Sequence, residues 1–226
     1  HMPLAIRWGD KIKPGRIVDD FVSHSDFAPT LLEAAGLPIP SEMTGQSLMN
    51  IFESTASGKV EKDRDRVYTA LERHTYCRPN GATYPIRALR TEDYLYIRNF
   101  EPDRWPTGGP DFISSNKTTH GDVDACPTKS FMVVKQDLFT DEFALGFGKR
   151  SGEELYLVKN DLGQVNNLAD NPQYQQVKDS LASILISHLK ETGDPRASGQ
   201  DPWQDYVYHQ YDGFGTVYNK ILPKSV

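Results

Sequence analysis

The sequence predicts an α+β fold in which a small antiparallel sheet is covered by one C-terminal helix. Three observations carry this. Short runs alternate apolar and polar residues at Arg66 to His74, Tyr84 to Phe100 and Glu154 to Asp161, as half-buried strands do. One long stripe, Tyr174, Val177, Leu181, Ile184, Leu185 and Leu189, repeats at helical spacing. Glycine and proline clusters separate the runs at turn-like intervals.

Taken in order, His1-Met2 reads as a cloning remnant, and Pro3 to Trp8 is a short apolar run suited to a strand buried on both faces. Ile17 to His24 reads as a second extended segment. A helix follows, with Asp26 as its N-cap, Pro29 in its first turn, and Phe27, Leu31, Leu32 and Ala35 on one face. Gly36 and Pro38 end it, and a proline loop with a glycine turn at Gly45 comes next. His24 and Asp26 stand two apart, as a pair of metal ligands could, but Asp26 is better explained as the cap. Ser54 to Arg66 is small, polar and charged without apolar period, which predicts a linker with a solvated face.

The run Tyr84 to Phe100 contains two strands around the tight polar turn Thr91-Glu92-Asp93, hence a hairpin. Residues 101–152 form a long loop rich in Gly, Pro, Asp, Ser and Thr, with Phe131 to Gly148 as a short helix or strand insertion. Asn171 with Pro172 opens the last helix and Gly193-Asp194-Pro195 stops it. The aromatic and polar tail beyond Gly193 predicts an irregular surface wrap.

Composition bounds the function. Hydrophobic residues at 38% suffice for a core, and 31 acidic against 25 basic residues give a formal charge of −6. That balance argues against general affinity for nucleic acid or anionic membranes, so a polyanionic substrate needs a local basic patch. No apolar run reaches the roughly 18 residues of a membrane span. Cys77 and Cys126 are compatible with either a disulfide or two thiols.

The stretch SHSDFAPTLLEAAGLPIP followed by TGQSL, Ser23 to Leu48, resembles the part of type I sulfatases, in the alkaline phosphatase superfamily, that closes their α/β catalytic domain. ELYLVKNDLGQVNNLADNP, Glu154 to Pro172, resembles a signature near the sulfatase C-terminus, with Val158 and Leu162 departing from its usual pattern at a strand and a turn. YPIRALR, Tyr84 to Arg90, resembles the corresponding stretch of the heparan N-sulfatases, the sulfamidases.

The resemblance implies that residues 3–55 are the C-terminal end of the catalytic domain, 56–66 a linker and 67–226 a small subdomain. It implies a parent enzyme hydrolysing sulfate esters or sulfamates of a glycosaminoglycan-type carbohydrate, periplasmic or secreted, using formylglycine and calcium housed upstream in a missing N-terminal part. This stretch would then be inactive alone, with no catalytic, metal or cofactor residue of its own. Cys77-Arg78-Pro79-Asn80-Gly81 begins like the family's Cys-x-Pro-x-Arg nucleophile, but Gly81 stands where arginine is needed.

The candidate substrate wall is Arg73, His74, Arg78 and Arg87, because guanidinium forks suit sulfate and carboxylate oxygens and histidine can bond sugar hydroxyls. Tyr76, Tyr84 and Arg90 lie nearby in sequence. A plainer reading pairs Arg73 and Arg87 with Glu72, Glu92 or Asp93 and makes His74 a turn residue. Asp103, Asp111, Asp122 and Asp124 with His120 could hold calcium, but their spacing fits no EF-hand and they read as solvated loop acids. The competing readings are a related phosphoesterase or phosphonate hydrolase, and a non-catalytic carbohydrate-binding or structural module.

Overall fold

The computed structural model describes residues 2–114 and 117–203. The residues up to Val67 and those from Tyr68 onward form two compact units. Among the described residues no helix is long and apolar enough to cross a membrane.

The first unit holds helices α1 (Phe27–Ala34) and α2 (Met49–Glu53). The expected strand at Pro3 to Trp8 is absent: the segment is irregular, with Leu4 and Ile6 exposed. A lone apolar strand without a partner ladder leaves its backbone groups unpaired, so an apolar run alone does not make it a strand. The extended segment from Ile17 is reduced to one bridge, Val18 to Gly58.

Asp26 is not the side-chain cap of α1. Instead Ser23 and Asp26 form a capping box around a preceding 3-10 turn, His24–Asp26. The Asp26 carboxylate is buried, accepting from the backbone N–H of Ser23 and Gln46, each at 2.9 Å, and pairing with Arg64 Nη1 at 2.9 Å. Arg64 also donates through Nη2 to the carbonyls of Gln46 and Ser47, at 3.0 and 2.9 Å, and through Nε to Glu61. The charges between Ser54 and Arg66 are therefore not simply a solvated face, since Arg64 is 5% exposed. Burying a guanidinium is tolerable only when its donors are met, and here Nε, Nη1 and Nη2 each have a partner.

Helix α1 buries Pro29 and Thr30 and leaves Leu31 exposed, which reverses the apolar face expected from its sequence. The reason is polar: Thr30 Oγ1 accepts from Leu48 N–H at 2.9 Å and donates to the Asp26 carbonyl, so the hydroxyl face turns inward. Gly36 ends the helix at φ +71°, as a left-handed terminator should.

The second unit is built on a four-stranded sheet in the order β1 (Arg66–Leu71), β2 (Ile86–Thr91), β3 (Tyr94–Asn99), β4 (Glu153–Leu157). The β2-β3 hairpin forms around the predicted turn, with Leu89 opposite Tyr96, and Tyr96 opposite Leu155 on β4. These three side chains point to one face and pack against Leu181, Leu185 and Leu189 of the last helix. Asn171 caps a 3-10 turn at Pro172–Tyr174 through Gln173 N–H, and the helix then runs Gln175–Glu191. Asn167, in the signature before it, accepts from the N–H groups of Leu155 and Ala169 at 2.9 and 3.0 Å, tying that turn to β4.

The opposite face is buried as well. Ala88, Glu154 and Tyr156 lie there, all below one-tenth exposed. Glu154 accepts from Asn99 Nδ2 at 2.7 Å and from the Tyr156 hydroxyl, and pairs with Arg150 at 2.9 Å. Arg150 belongs to the long segment between β3 and β4. That segment is not a plain loop: it carries α3 (Pro127–Val134) and α4 (Thr140–Phe147). We number the last helix α5 accordingly.

Candidate functional site

The residues after β1 converge with three distant segments. Glu72 follows β1 and its carboxylate receives Arg87 Nη2 at 2.7 Å and Arg196 Nη2 and Nε at 2.7 and 3.1 Å. Arg87, on β2, also clamps Asp194 at 2.5 and 3.2 Å and donates to the carbonyl of Ile86. Burial alone would lower the pKa of this guanidinium, and its bonds to Asp194 and Glu72 outweigh that and raise it. Its Nε, Nη1 and Nη2 thus all serve this network, and it is 5% exposed.

Arg78 is equally buried, and its donors go to backbone: Nε to Trp105 carbonyl at 2.7 Å, Nη1 to Ala82 carbonyl at 3.3 Å, and Nη2 to Pro106 carbonyl. Burial pulls its pKa below the usual guanidinium value. Arg78 lies 3.8 Å from Asp122, whose other oxygen is 2.7 Å from Nδ1 of His74. The His74 ring is 72% exposed, so Asp122 links a buried cation to an exposed imidazole. Arg73 donates to the Gly81 carbonyl at 2.9 Å and its guanidinium lies 5.4 Å from the centroid of the Trp203 ring.

The four arginine and histidine positions thus divide. Arg73 and His74 stand beside each other at the end of β1, whereas Arg78 and Arg87 act inward. Sequence reasoning missed Asp194, Arg196 and Asp122. Asp194 was legible only as part of a helix stop, and Asp122 only as a loop acid, because their partners lie 107 and 48 residues away.

Asp122 is therefore not a solvated loop acid, and His120 is buried too, at 1% exposed. His120 sits among the rings of Trp105, Phe143 and Phe147, and burial pushes its imidazole pKa down. Among the described residues, no three His, Cys, Asp or Glu side chains are grouped to hold a metal.

Cys77 and Cys126 are both free thiols. Cys77 is buried, which pushes its thiol up to about 11, and the added Cβ of a residue at Gly108 would lie 2.6 Å from its carbonyl. A buried, protonated thiol is a poor nucleophile and a poor substrate for conversion. With an aromatic disulfide reagent at pH 8, one thiol, Cys126, reacts rapidly and Cys77 reacts only on unfolding; two rapid equivalents would show the Cys77 segment to be open.

Comparison with known proteins finds similarity to sulfatases. Residues 1–107 match the family described as N-sulphoglucosamine sulphohydrolase, C-terminal. An ulvan-active sulfatase of Formosa agariphila is 28% identical over 193 residues, covering 85% of this chain and 34% of that protein. An N-acetylglucosamine-6-O-sulfatase of Bacteroides thetaiotaomicron is 33% identical over 109 residues, covering 46% of this chain and 18% of that protein. The chain therefore spans about a third or less of the curated relatives it matches. A structure solved in complex with its substrate D-glucosamine-2-N,6-O-disulfate shares the fold, at 21% identity and a TM-score of 0.52, over 88% of this chain and 29% of that one. Over residues 1–107 the chain is therefore similar to the C-terminal region of that sulfatase family, and over 85% of its length it is similar to a curated sulfatase.

Proposed function

We propose that the parent polypeptide hydrolyses sulfate esters or sulfamates of a carbohydrate, of glycosaminoglycan type or similarly sulfated, and that this chain supplies one wall of its sugar pocket. The observation that carries the wall is the pairing of an exposed His74 with a half-buried Asp122, beside Arg73 at the same strand end. Such an imidazole is oriented by its carboxylate and offers Nε2 to a hydroxyl, while the Arg73 guanidinium offers donors to a sulfate or carboxylate. Arg78 and Arg87 hold that wall from behind. The names of the relatives, which include glucosamine and ulvan sulfatases, support a sulfated sugar as the substrate class.

Formylglycine and calcium are the chemistry the family implies, and the described residues do not fit either group. Cys77 is buried, and three grouped ligands are lacking among them. Both would be supplied by an upstream part of the same polypeptide, in residues 3–55 of which the catalytic domain ends, with 56–66 as the connection to the subdomain. The exposed apolar side chains Leu4, Ile6, Ile17, Leu31, Leu37 and Ile39 support this, since that much uncovered apolar surface suits a contact with further chain. The parent would be periplasmic or secreted.

The test is sulfate release by the full-length parent from a panel of sulfated glucosamines and ulvan oligosaccharides. Release from at least one sugar is expected, with none from the present chain alone. Cleavage of phosphate or phosphonate esters instead would favour the phosphoesterase reading. Binding of the same glycans by the isolated chain at micromolar affinity would favour a carbohydrate-binding module.

A further inference from the structure

We propose that Trp203 is a positioning residue for Arg73, held in place by a strap that returns from the end of the last helix, and that this strap tunes sugar affinity. The inference rests on the reading of Arg73 as part of the sugar wall.

The strap starts where Gly193, at φ +69°, ends α5. Asp194 caps a short 3-10 turn, Pro195–Ser198, through Arg196 N–H at 2.9 Å and is itself clamped by Arg87. Arg196, 5% exposed, donates through Nη2 both back to Glu72 at 2.7 Å and on to Asp201 at 2.9 Å. The same Asp201 oxygen accepts from the backbone N–H of Trp203 at 2.9 Å. The Trp203 ring then lies against the guanidinium of Arg73, the residue next to Glu72. The contacts form a closed circuit: Glu72, Arg196, Asp201, Trp203, Arg73.

A ring over a guanidinium attracts it through the face of the π-system while leaving the N–H edge able to bond elsewhere. An arginine on a surface has to lose considerable rotamer freedom to bind an anion, and the ring removes part of that freedom before the sugar arrives. Glu72, meanwhile, is paired with Arg87 and Arg196, which ties the start of the strap to the strand end that carries Arg73. The strap thereby does two things: it engages the carboxylate next to Arg73 in sequence and sets an aromatic platform beside the Arg73 guanidinium.

The experiment uses the full-length parent, the sugar of the panel cut fastest, and 4-methylumbelliferyl sulfate as a substrate without a sugar. Trp203→Ala is expected to raise KM for the sugar about two- to fivefold, the change falling on KM rather than kcat, with the aryl sulfate spared. Trp203→Phe should restore most of the affinity. Asp201→Ala, which releases both Arg196 and the Trp203 backbone, should act in the same direction and decides the matter if Trp203→Ala does not fold. Arg73→Ala should raise KM at least as much.

An unchanged sugar KM in the Trp203 and Asp201 variants, with Arg73→Ala still impaired, overturns the strap and leaves the wall. Equal losses on both substrates with a lower Tm reduce Trp203 to a structural role and also overturn it. An unimpaired Arg73→Ala, or a panel in which no sugar is cut, removes the wall reading and this inference with it.

Discussion

Arg64→Met is expected to destabilise the first unit by about 3–5 kcal/mol, the cost of stranding a buried carboxylate. Its loss removes the partner of Asp26 at 2.9 Å and the donors to the Gln46 and Ser47 carbonyls. Methionine fills the volume but meets none of these acceptors. Asp26 keeps its two backbone donors, so the unit loses its charge compensation and not its whole network. Urea unfolding followed by a probe in the first unit, with limited proteolysis of residues up to Val67, reads the effect. Arg64→Lys should recover part of it, since an ammonium keeps the charge but cannot reach three acceptors as a fork. A methionine variant within about 0.5 kcal/mol of the parent, the usual span for a neutral surface change, would show that the pair contributes nothing.

Gly45→Ala is expected to be nearly as damaging. A Cβ at this position would sit 2.0 Å from the Ser25 carbonyl oxygen and 2.4 Å from its carbon, with the Asp26 nitrogen at 2.9 Å. All three neighbours are backbone, so no side chain can swing away, and the turn has to part from the capping box. Overpacking of this kind costs about 1–3 kcal/mol, and the immobility of the neighbours places Gly45 at the upper end. The control is Gly36→Ala, where the added methyl meets open space and the penalty is only the left-handed backbone, about 1–2 kcal/mol. Equal melting temperatures for the two variants would show that the close approach at Gly45 relaxes freely.

The parts of the fold that sequence reveals are those whose cause is local. The β2-β3 hairpin follows from two short strand-like runs around a polar turn, which sets Leu89 opposite Tyr96, and the stripe of α5 follows from the helical spacing of Leu181, Leu185 and Leu189. Pro3 to Trp8 has the same apolar character yet forms no strand, because a strand is defined by a partner and none of the described residues pairs with it. The inward turn of Thr30 was hidden for a similar reason: it depends on Leu48, 18 residues on. At the candidate site, Arg73, His74, Arg78 and Arg87 were identifiable as a basic group, but their division into outward and inward members depends on Asp122, Asp194 and Arg196. Ion pairs 48 to 124 residues apart leave no periodic trace.

The carboxylate of Glu154 also settles which way β4 faces. This strand is five residues long and lies at the sheet margin, where short strands can slide past their neighbour. A shift by a single position would thrust that charge among the leucines beneath α5 and lift Leu155 out towards Asn99 and Arg150. Both halves of the exchange are unfavourable, so the acid works as a locating pin that holds the sheet in its one alignment.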